Sequence, residues 1–239
     1  MKKKLLLIFD FDQTISSVDS FCTITKIILS KEEAELINNN VAKGVNWVDN
    51  QNLMYELAYK HGNDIKKVEN ALNSIPLNKG IIELFSFLRK NKIIFEIIIL
   101  SSASFYTLNY LLNYYKINDV IDEIICIKSN IDEKGLMHVF SSHPHNCKYC
   151  NACQCKKLEI NEFFKSNLRE KYNNVIWICD GKNDICLCEE LKENDYVFPR
   201  KDFALYKKLY DENYKNQIKC KIFPWNDGFD IINKLKEFL

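Results

Sequence analysis

The 239-residue sequence predicts an α/β fold, with a parallel sheet covered by helices and a small helical cap inserted after the first strand. Short apolar runs alternate along the chain with segments of helical periodicity, the pattern of parallel strands joined by crossover helices. Only 6 Gly and 4 Pro are present, too few for most all-β architectures, which need many turns. One long segment after the first apolar run contains no convincing strand, which indicates an insertion into the alternating pattern.

The candidate strands are short apolar runs, as expected where helices bury both faces of a parallel sheet. The first is Leu5–Phe9, and the most apolar one is Ile93–Leu100. Shorter or weaker runs are found at Ile121–Ile127, Val175–Cys179 and Tyr196–Phe198. Ligands of such sheets bind beyond the carboxyl ends of the strands, so the residues that follow these runs are the first candidates for function.

Amphipathic segments between and after these runs predict the helices. In the first of them Ile81, Leu84, Phe85 and Leu88 recur at helical spacing, which predicts one buried face. The segments are Gly80–Lys90, Phe105–Tyr115, Lys157–Leu168, Ile185–Leu191, Phe203–Tyr214 and Asp227–Leu239.

Residues 16–75 have helical periodicity interrupted by Asn-rich turns. A doubly wound sheet normally places one crossover helix at this point, so we expect this longer segment to form a small helical cap. The predicted organisation is a catalytic core of residues 1–15 and 76–239 with a cap of residues 16–75. A cap over the crevice would restrict the site to small substrates.

The charges of the chain are balanced, with 33 Lys and Arg, 32 Asp and Glu and a formal charge of +1. No strong field therefore attracts nucleic acid or an anionic membrane. The apolar run near the N-terminus ends at Asp10, which is too early for a signal peptide, and no apolar segment is long enough to span a membrane. We expect a cytoplasmic protein with no nucleic-acid or membrane partner, while the oligomeric state stays open.

Two carboxylates follow the first predicted strand directly. Asp10 and Asp12 are separated by one residue, so both can face the crevice beyond the strand end. Asp12 or Thr14 could instead cap the following helix. Capping needs only one such side chain, and the pair therefore favours a functional interpretation.

Polar residues also follow two further predicted strands. Ser101 and Ser102 end the most apolar strand, where hydroxyl and backbone N–H groups suit a phosphate, although an ordinary serine N-cap is the alternative. Asp180 and Asp184 follow Val175–Cys179, and carboxylate oxygens are ligands that Mg²⁺ prefers, although an Asp-Gly turn with an Asp cap explains them too. A lysine pair that opens a later helical segment, Lys156-Lys157, could neutralise a phosphoryl group or form a solvated face.

In this order the four segments resemble the motifs of the haloacid dehalogenase superfamily of phosphotransferases. The matching positions are Asp10-Phe-Asp12-Gln-Thr14, Ser101, Lys156 and Asp180-Gly-Lys-Asn-Asp184. Further stretches resemble the phosphoethanolamine/phosphocholine phosphatase family, which also contains a pyridoxal-phosphate phosphatase. These stretches are Ile75-Pro76-Leu77, His145-Asn-Cys147-x-x-Cys150 with Cys155-Lys156, Phe198-Pro199-Arg200 and Pro224-Trp225.

The resemblance implies a Rossmann-like core and a Mg²⁺-dependent phosphomonoesterase that acts on a small molecule. It implies that Asp10 forms an aspartyl-phosphate and that Asp12 acts as general acid and base. It implies that Ser101 and Lys156 hold phosphoryl oxygens and offset their charge. The implied metal ligands are Asp10, Asp12 through its backbone carbonyl, Asp180 and Asp184.

The sequence departs from family members that act on choline or ethanolamine esters at two positions. Those members carry acidic residues just after the second-motif serine and early in the cap, where this sequence has Ser102 and Phe21. We expect both residues to bind the substrate, although Phe21 could also merely pack. The candidate substrates are phosphoethanolamine, phosphocholine, pyridoxal phosphate and thiamine monophosphate, and the substitutions favour a neutral or aromatic ester.

The chain contains 10 Cys, of which seven lie between Cys147 and Cys188. The stretch from His143 to Cys155 has enough nitrogen and sulphur ligands for a tetrahedral zinc ion, but a tight loop of buried thiols is equally compatible with the spacing. A redox pair is a third interpretation, which the spacing favours less. A non-enzymatic metal- or thiol-sensing module on the same fold is therefore the alternative function. The intact set of carboxylates and Lys156 argues against it.

Overall fold

The computed structural model describes residues 4–215 and 217–239, which contain a seven-stranded sheet. In chain order the strands are β1 (Lys4–Phe9), β2 (Phe95–Ser104), β3 (Glu123–Ile131), β4 (Met137–Phe140), β5 (Tyr172–Cys179), β6 (Tyr196–Pro199) and β7 (Lys221–Ile222). Across the sheet they follow the order β4-β3-β2-β1-β5-β6-β7. The strand pairings are parallel apart from the antiparallel pair of β3 and β4. The predicted α/β class is confirmed.

The helices of the described residues precede, join and follow these strands. Those between β1 and β2 are α1 (Ser20–Ile28), α2 (Lys31–Ala42), α3 (Trp47–Lys60), α4 (Ile65–Leu72) and α5 (Ile81–Lys90). The later ones are α6 (Phe105–Tyr114), α7 (Lys156–Ser166), α8 (Ile185–Cys188), α9 (Ala204–Leu209), α10 (Glu212–Lys215) and α11 (Gly228–Leu235). No helix in the described part of the chain is long and apolar enough to cross a membrane.

Strand β1 lies at the centre of the sheet and is buried on both faces. Leu5, Leu7 and Phe9 belong to one apolar layer, and Leu6 and Ile8 belong to the other. Successive side chains of a strand point to opposite faces, so a sheet with helices on both sides needs an unbroken apolar run at its centre. This requirement explains the composition of the first predicted strand.

The order of the strands decides which chain segments meet at the carboxyl edge. Strand β1 lies between β2 and β5, with Phe9 in register with Ile99 on one side and Ile178 on the other. The backbone N–H of Asp10 continues this ladder, because it donates to the carbonyl of Ile178 at 2.9 Å. The segments after β1, β2 and β5 therefore meet at one edge of the sheet.

Several element bounds differ from the sequence-based expectations, since β2 extends to Ser104 and the helix expected over Ile185–Leu191 ends at Cys188. The described residues include two short edge strands, β4 and β7, that the apolar pattern does not indicate, and β3 extends to Ile131 rather than ending at Ile127. Strands of two to four residues show no detectable periodicity, and pairing with a neighbour decides their position. The single helix expected over Phe203–Tyr214 is divided into α9 and α10.

The segment between β1 and α5 contains four helices that each begin at a polar N-cap. The cap side chains accept hydrogen bonds from backbone N–H groups of the first helical turn. The four cap residues are Asp19, Ser30, Asn46 and Asp64. The chain enters and leaves the segment at adjacent points, since the N–H of Ser17 donates to the carbonyl of Pro76 at 2.8 Å. The division into a core of residues 1–15 and 76–239 and a cap of residues 16–75 stays our proposal.

Candidate active site

The loop after β1 carries the first pair of carboxylates. Asp10 is 6% exposed, and one of its carboxylate oxygens, Oδ1, accepts a hydrogen bond from the N–H of Phe11 at 2.7 Å. Asp12 lies two residues further along the chain, and its Oδ1 accepts from the N–H of Ser20 at 2.8 Å. Asp19, rather than Asp12 or Thr14, is the N-cap of α1. Because Ser20 is the first residue of α1, Asp12 also binds this end of the helix, although Asp19 is its N-cap residue.

Two side chains that were not predicted as site residues donate hydrogen bonds to backbone carbonyls of the same loop. The buried Asn78 donates from Nδ2 to the carbonyls of Thr14 (2.8 Å) and Ser16 (2.9 Å). Arg200 donates to the carbonyl of Gln13 at 2.5 Å, and Gln13 has a left-handed φ of 58°. These bonds satisfy the carbonyls of an irregular buried turn, which would otherwise lose hydration without compensation.

The hydroxyl-bearing segment lies at the end of β2. Ser101 is 1% exposed, and its Oγ accepts from the N–H of Ala103 at 3.2 Å. Ser104 is the residue that caps α6, so the capping alternative does not account for Ser101 or Ser102. The carbonyl of Ser102 accepts from the indole Nε1 of Trp47 at 3.1 Å, which joins the cap segment to this edge of the sheet.

Lys156 begins α7 and is 1% exposed. Its Nζ donates to Asp10 Oδ2 at 2.7 Å and to Asp184 Oδ1 at 2.6 Å. Burial alone lowers the pKa of a lysine, but the charges of the two carboxylates outweigh that effect and raise the pKa of Lys156 above its ordinary value. The adjacent Lys157 points elsewhere and pairs with Glu190 near the surface.

The loop after β5 supplies two further buried carboxylates. Asp184 accepts from the N–H groups of Asp180 (3.1 Å) and Gly181 (2.7 Å) through Oδ2, which fixes the turn. Asp180 accepts from the hydroxyl of Thr14 at 3.1 Å. Burial raises the pKa of Asp180 to about 9, and the charges of Asp184 and Asp10 add to the increase. The environment therefore favours neutralisation of this group by a proton or a cation.

Carboxylate oxygens of Asp10, Asp180 and Asp184 lie within 4.8 Å of one another and are buried. Three acidic groups so close together repel one another, and Lys156 neutralises only part of their charge. Oxygen donors from one or two carboxylates, completed by water and a phosphate oxygen, are the ligand set of a protein-bound Mg²⁺. The residues present thus fit a magnesium ion.

The two carboxylates of the first motif have different environments. Loss of hydration raises the pKa of Asp10 to about 6, and Lys156 opposes the increase. Burial raises the pKa of Asp12 well above its ordinary value, with a further contribution from the negative charge of Asp19. Burial therefore favours the protonated form of Asp12, as a proton donor requires, while Lys156 favours the ionised form of Asp10.

These groups border a cavity of about 380 Å³ at the carboxyl edge of the sheet. Its wall contains most of the residues predicted from the sequence, namely Asp10, Asp12, Ser101, Ser102 and Asp180. Lys156 and Asp184 lie behind Asp10 and outside the wall. The wall also contains residues that were not predicted, namely Gln13, Asp19, Trp47, Ala103, Tyr149, Asn151, Gly181, Lys182 and Asn183.

Phe21 is not part of this wall. It is 7% exposed and packs against Trp47, with 4.7 Å between the ring centroids. The structure places Asp19 and Trp47 where the sequence comparison placed Phe21, because the first turn of α1 directs Phe21 into the cap interior. Phe21 borders a small adjoining cavity together with Asp12 and Trp47, so its contact with a substrate stays a prediction. Asp19 adds a carboxylate to the wall of the main cavity.

The phosphatase family model and the phosphatase relatives that match the chain, together with the carboxylates at the edge of its sheet, confirm the predicted class, a phosphatase of the haloacid dehalogenase superfamily and thus a phosphoric monoester hydrolase. Within this class the chain belongs to the family described as Putative Phosphatase, whose model matches residues 5–239. Family membership supports the enzyme over the non-enzymatic sensing module.

The chain is similar to curated relatives over nearly its whole length. The pyridoxal phosphate phosphatase PHOSPHO2 of Mus musculus is 30% identical over 236 residues, with 98% of each chain covered. The phosphoethanolamine/phosphocholine phosphatase of Gallus gallus is 28% identical over 242 residues, which cover 99% of this chain and 89% of that one. A substrate-bound phosphoserine phosphatase structure shares the fold, with a TM-score of 0.61, 18% identity and coverage of 98% of this chain and 99% of that one.

Proposed function

We propose that the protein hydrolyses a small phosphomonoester with Mg²⁺ as cofactor and Asp10 as nucleophile. The observation that carries the proposal is the convergence of Asp10, Asp12, Ser101 and Asp180 on one cavity, with the buried Lys156 paired to Asp10. A nucleophile, a proton donor, a hydroxyl donor and a metal ligand are the groups that phosphoryl transfer to a carboxylate requires.

The reaction proceeds in two steps that use opposite protonation states of the two carboxylates. First, an oxygen of Asp10 bonds to phosphorus while the ester oxygen departs and receives the proton of Asp12. Second, a water oxygen bonds to phosphorus, its proton passes to Asp12, and the bond between Asp10 and phosphorus breaks. The raised pKa of Asp12 and the ion pair of Asp10 with Lys156 support this division of roles.

The other residues of the site stabilise the negative charge of the phosphoryl group. The Ser101 hydroxyl can donate to a phosphoryl oxygen at the end of β2, and the Lys156 ammonium holds Asp10 in place and offsets negative charge. A Mg²⁺ ion would be held by Asp10, Asp180 and the backbone carbonyl of Asp12, with Asp184 behind them. When bound, it supplies the positive charge that lets a phosphate dianion approach several carboxylates.

Phosphate release from a chromogenic ester tests the proposal. We expect activity with added Mg²⁺ and none with chelator, and we expect Asp10→Asn to be inactive because an amide cannot form the acyl-phosphate. Asp211→Asn, a change of an exposed aspartate that pairs with Lys208, is the matched control and should retain full activity. Turnover by Asp10→Asn at the wild-type rate would contradict the proposed mechanism.

Two side chains of the cavity wall indicate the group that the substrate carries beyond its phosphate. Trp47 presents an indole whose orientation is set by its hydrogen bond to the carbonyl of Ser102. Asp19 adds a carboxylate to the same wall. An aromatic face and a negative charge together fit a positively charged group, which can be an aromatic ring or an ammonium group. Ser102 stands where members that act on choline or ethanolamine esters carry another acidic residue, so pyridoxal phosphate and thiamine monophosphate are preferred among the four candidate esters.

A panel of the four esters, scored by kcat/KM, tests this preference. Trp47→Leu should reduce kcat/KM for the aromatic esters, while Trp47→Phe, which keeps an aromatic face, should reduce it less. Asp19→Asn removes the charge but keeps a side chain that can cap α1. The preference fails if phosphoethanolamine or phosphocholine has the highest kcat/KM and Trp47→Leu leaves the ranking unchanged. A cytoplasmic location and the absence of nucleic-acid and membrane partners stay part of the proposal.

A further inference from the structure

Four cysteine sulphur atoms converge beside the active site. Cys147, Cys150 and Cys155 come from the loop between β4 and α7, and Cys186 comes from α8. Their Sγ atoms all lie within 4.8 Å of one another, and each of the four is a free thiol. The fourth member lies 31 positions beyond the last loop cysteine, so the fold rather than the local spacing assembles this group.

The size of the group fits a tetrahedral zinc ion. Zinc–sulphur bonds of about 2.3 Å place neighbouring sulphur atoms about 3.8 Å apart in a tetrahedron. The sulphur atoms of Cys150 and Cys186 are 3.3 Å apart, and the upper limit for the group is 4.8 Å. The sulphur–sulphur distance that a tetrahedral zinc site requires lies between these two values. Small side-chain rotations are therefore sufficient to admit the ion.

The first turn of α7 supplies hydrogen-bond donors to this group. Cys155 is the N-cap residue of α7, and the first backbone N–H groups of a helix have no partner within the helix. Three of these N–H groups interact with three different sulphur atoms. The pairs are Lys156 with Cys150, Lys157 with Cys186, and Leu158 with Cys155. Donors of this kind, at the positive end of an 11-residue helix, stabilise metal-bound thiolates.

The other possible ligands of the loop have different contacts. His143 accepts from the N–H of Cys155 at 3.3 Å, and His145 bonds to the carbonyl of Asn151 at 2.7 Å. Cys153 is buried and is not one of the four converging residues. The two histidines therefore shape the loop, and the ligand set consists of four sulphur atoms. A set of four protein ligands leaves no open position, which is typical of structural rather than catalytic zinc.

We propose that Cys147, Cys150, Cys155 and Cys186 bind one structural zinc ion, with the four thiol protons released to solvent. Cys155 immediately precedes Lys156, and Cys186 follows Asp184 by two positions. The ion therefore joins the two chain segments that form the buried ion pair behind Asp10. The site is separate from the carboxylate site and does not depend on the proposed reaction.

Metal analysis of the full-length protein, purified with a reductant and without chelator, tests the proposal. We expect one zinc ion per chain, and X-ray absorption at the zinc edge should show four sulphur neighbours. Cys147→Ser and Cys186→Ser should lose the zinc, whereas Cys22→Ser in α1 and Cys126→Ser in β3 should retain it. Asp180→Asn, which removes a carboxylate ligand, should also retain the zinc, which separates this site from the Mg²⁺ site.

A measurement on the wild-type chain covers the case in which the serine variants fail to fold. Cobalt added to the zinc-stripped, reduced protein should give the intense visible and thiolate charge-transfer absorption of a tetrahedral tetrathiolate, which a carboxylate site does not produce. The proposal is overturned if the reduced protein binds neither zinc nor cobalt in this way. It is equally overturned if non-reducing peptide mapping of freshly purified protein shows a disulfide between Cys150 and Cys186.

Discussion

The buried Lys156 tests how much its ion pairs stabilise the fold, because the adjacent Lys157 provides a matched control. We consider Lys156→Met, which keeps a long side chain and removes the charge. Asp10 and Asp184 then lose the ammonium at 2.7 and 2.6 Å and stay buried without a counter-charge. Removing one partner of a buried ion pair typically costs about 3–5 kcal/mol of folding free energy.

That loss corresponds to a decrease in Tm of about 6–20 °C, at about 2–4 °C per kcal/mol for a chain of this length. Lys157→Met is the control, since the Lys157 side chain is 37% exposed and its partner Glu190 is 36% exposed. Exposed pairs contribute about 0–1 kcal/mol, so this variant should melt within about 4 °C of the wild type. Thermal unfolding in Mg²⁺-free buffer measures both shifts.

The difference between wild type and Lys156→Met should also depend on pH, in a direction that follows from the pKa of Asp10. This pKa is raised from 3.8 to about 6, so the native state binds the proton more tightly and stability falls as pH rises through that window. Lys156 lowers the pKa of Asp10, so its removal raises that pKa further. The pH range over which ionisation of Asp10 destabilises the folded protein then extends to higher pH. The Tm difference should therefore grow from pH 4 to pH 8. Equal shifts for the two lysine variants, or a difference that shrinks with pH, would refute the reasoning.

Three further predictions concern the proton donor and the loop that carries it. Asp12→Asn should lower kcat by about 10²–10⁴-fold with little change in KM, because it removes general acid and base catalysis; steady-state kinetics that show an unchanged kcat would contradict this role. Asp19→Asn removes a charge that raises the pKa of Asp12, so the alkaline limb of the kcat/KM profile should move to lower pH; movement to higher pH would contradict the sign. Asn78→Ala removes hydrogen bonds of 2.8 and 2.9 Å to the carbonyls of Thr14 and Ser16 and should cost about 2 kcal/mol, or about 4–8 °C in Tm, whereas the exposed Asn113→Ala should cost little.

The carboxyl edge of the sheet was predictable because its determinants are local. An apolar run followed directly by acidic or hydroxyl residues indicates a buried strand that ends at a site, and Asp10, Ser101 and Asp180 each follow such a run. Parallel strands end at a common edge, so local patterns were sufficient to predict that these residues meet. The choice of Lys156 over Lys157 came from resemblance alone, and the burial of Lys156 between two carboxylates supplies its physical reason.

Tertiary structure determined which residues form the wall of the cavity and which cysteines form the sulphur cluster. Asp19 and Trp47 reach the wall because the helical segment between β1 and α5 folds back over the edge of the sheet, whereas the family resemblance indicated Phe21. Asn78 and Arg200 bind the first loop from 62 or more positions away, and such pairings leave no periodic signal.

By itself, the sequence determined the α/β class, the helical insertion and the residues at the strand ends, since apolar periodicity and local polar motifs record how each segment is buried. Tertiary structure alone decided which distant side chains share a surface. Cys186 shows the difference most clearly, because it follows β5 in the chain and joins the cysteines before α7 only through the packing of α8 against α7. Contacts between distant segments depend on strand order and helix packing, which single-residue patterns do not encode.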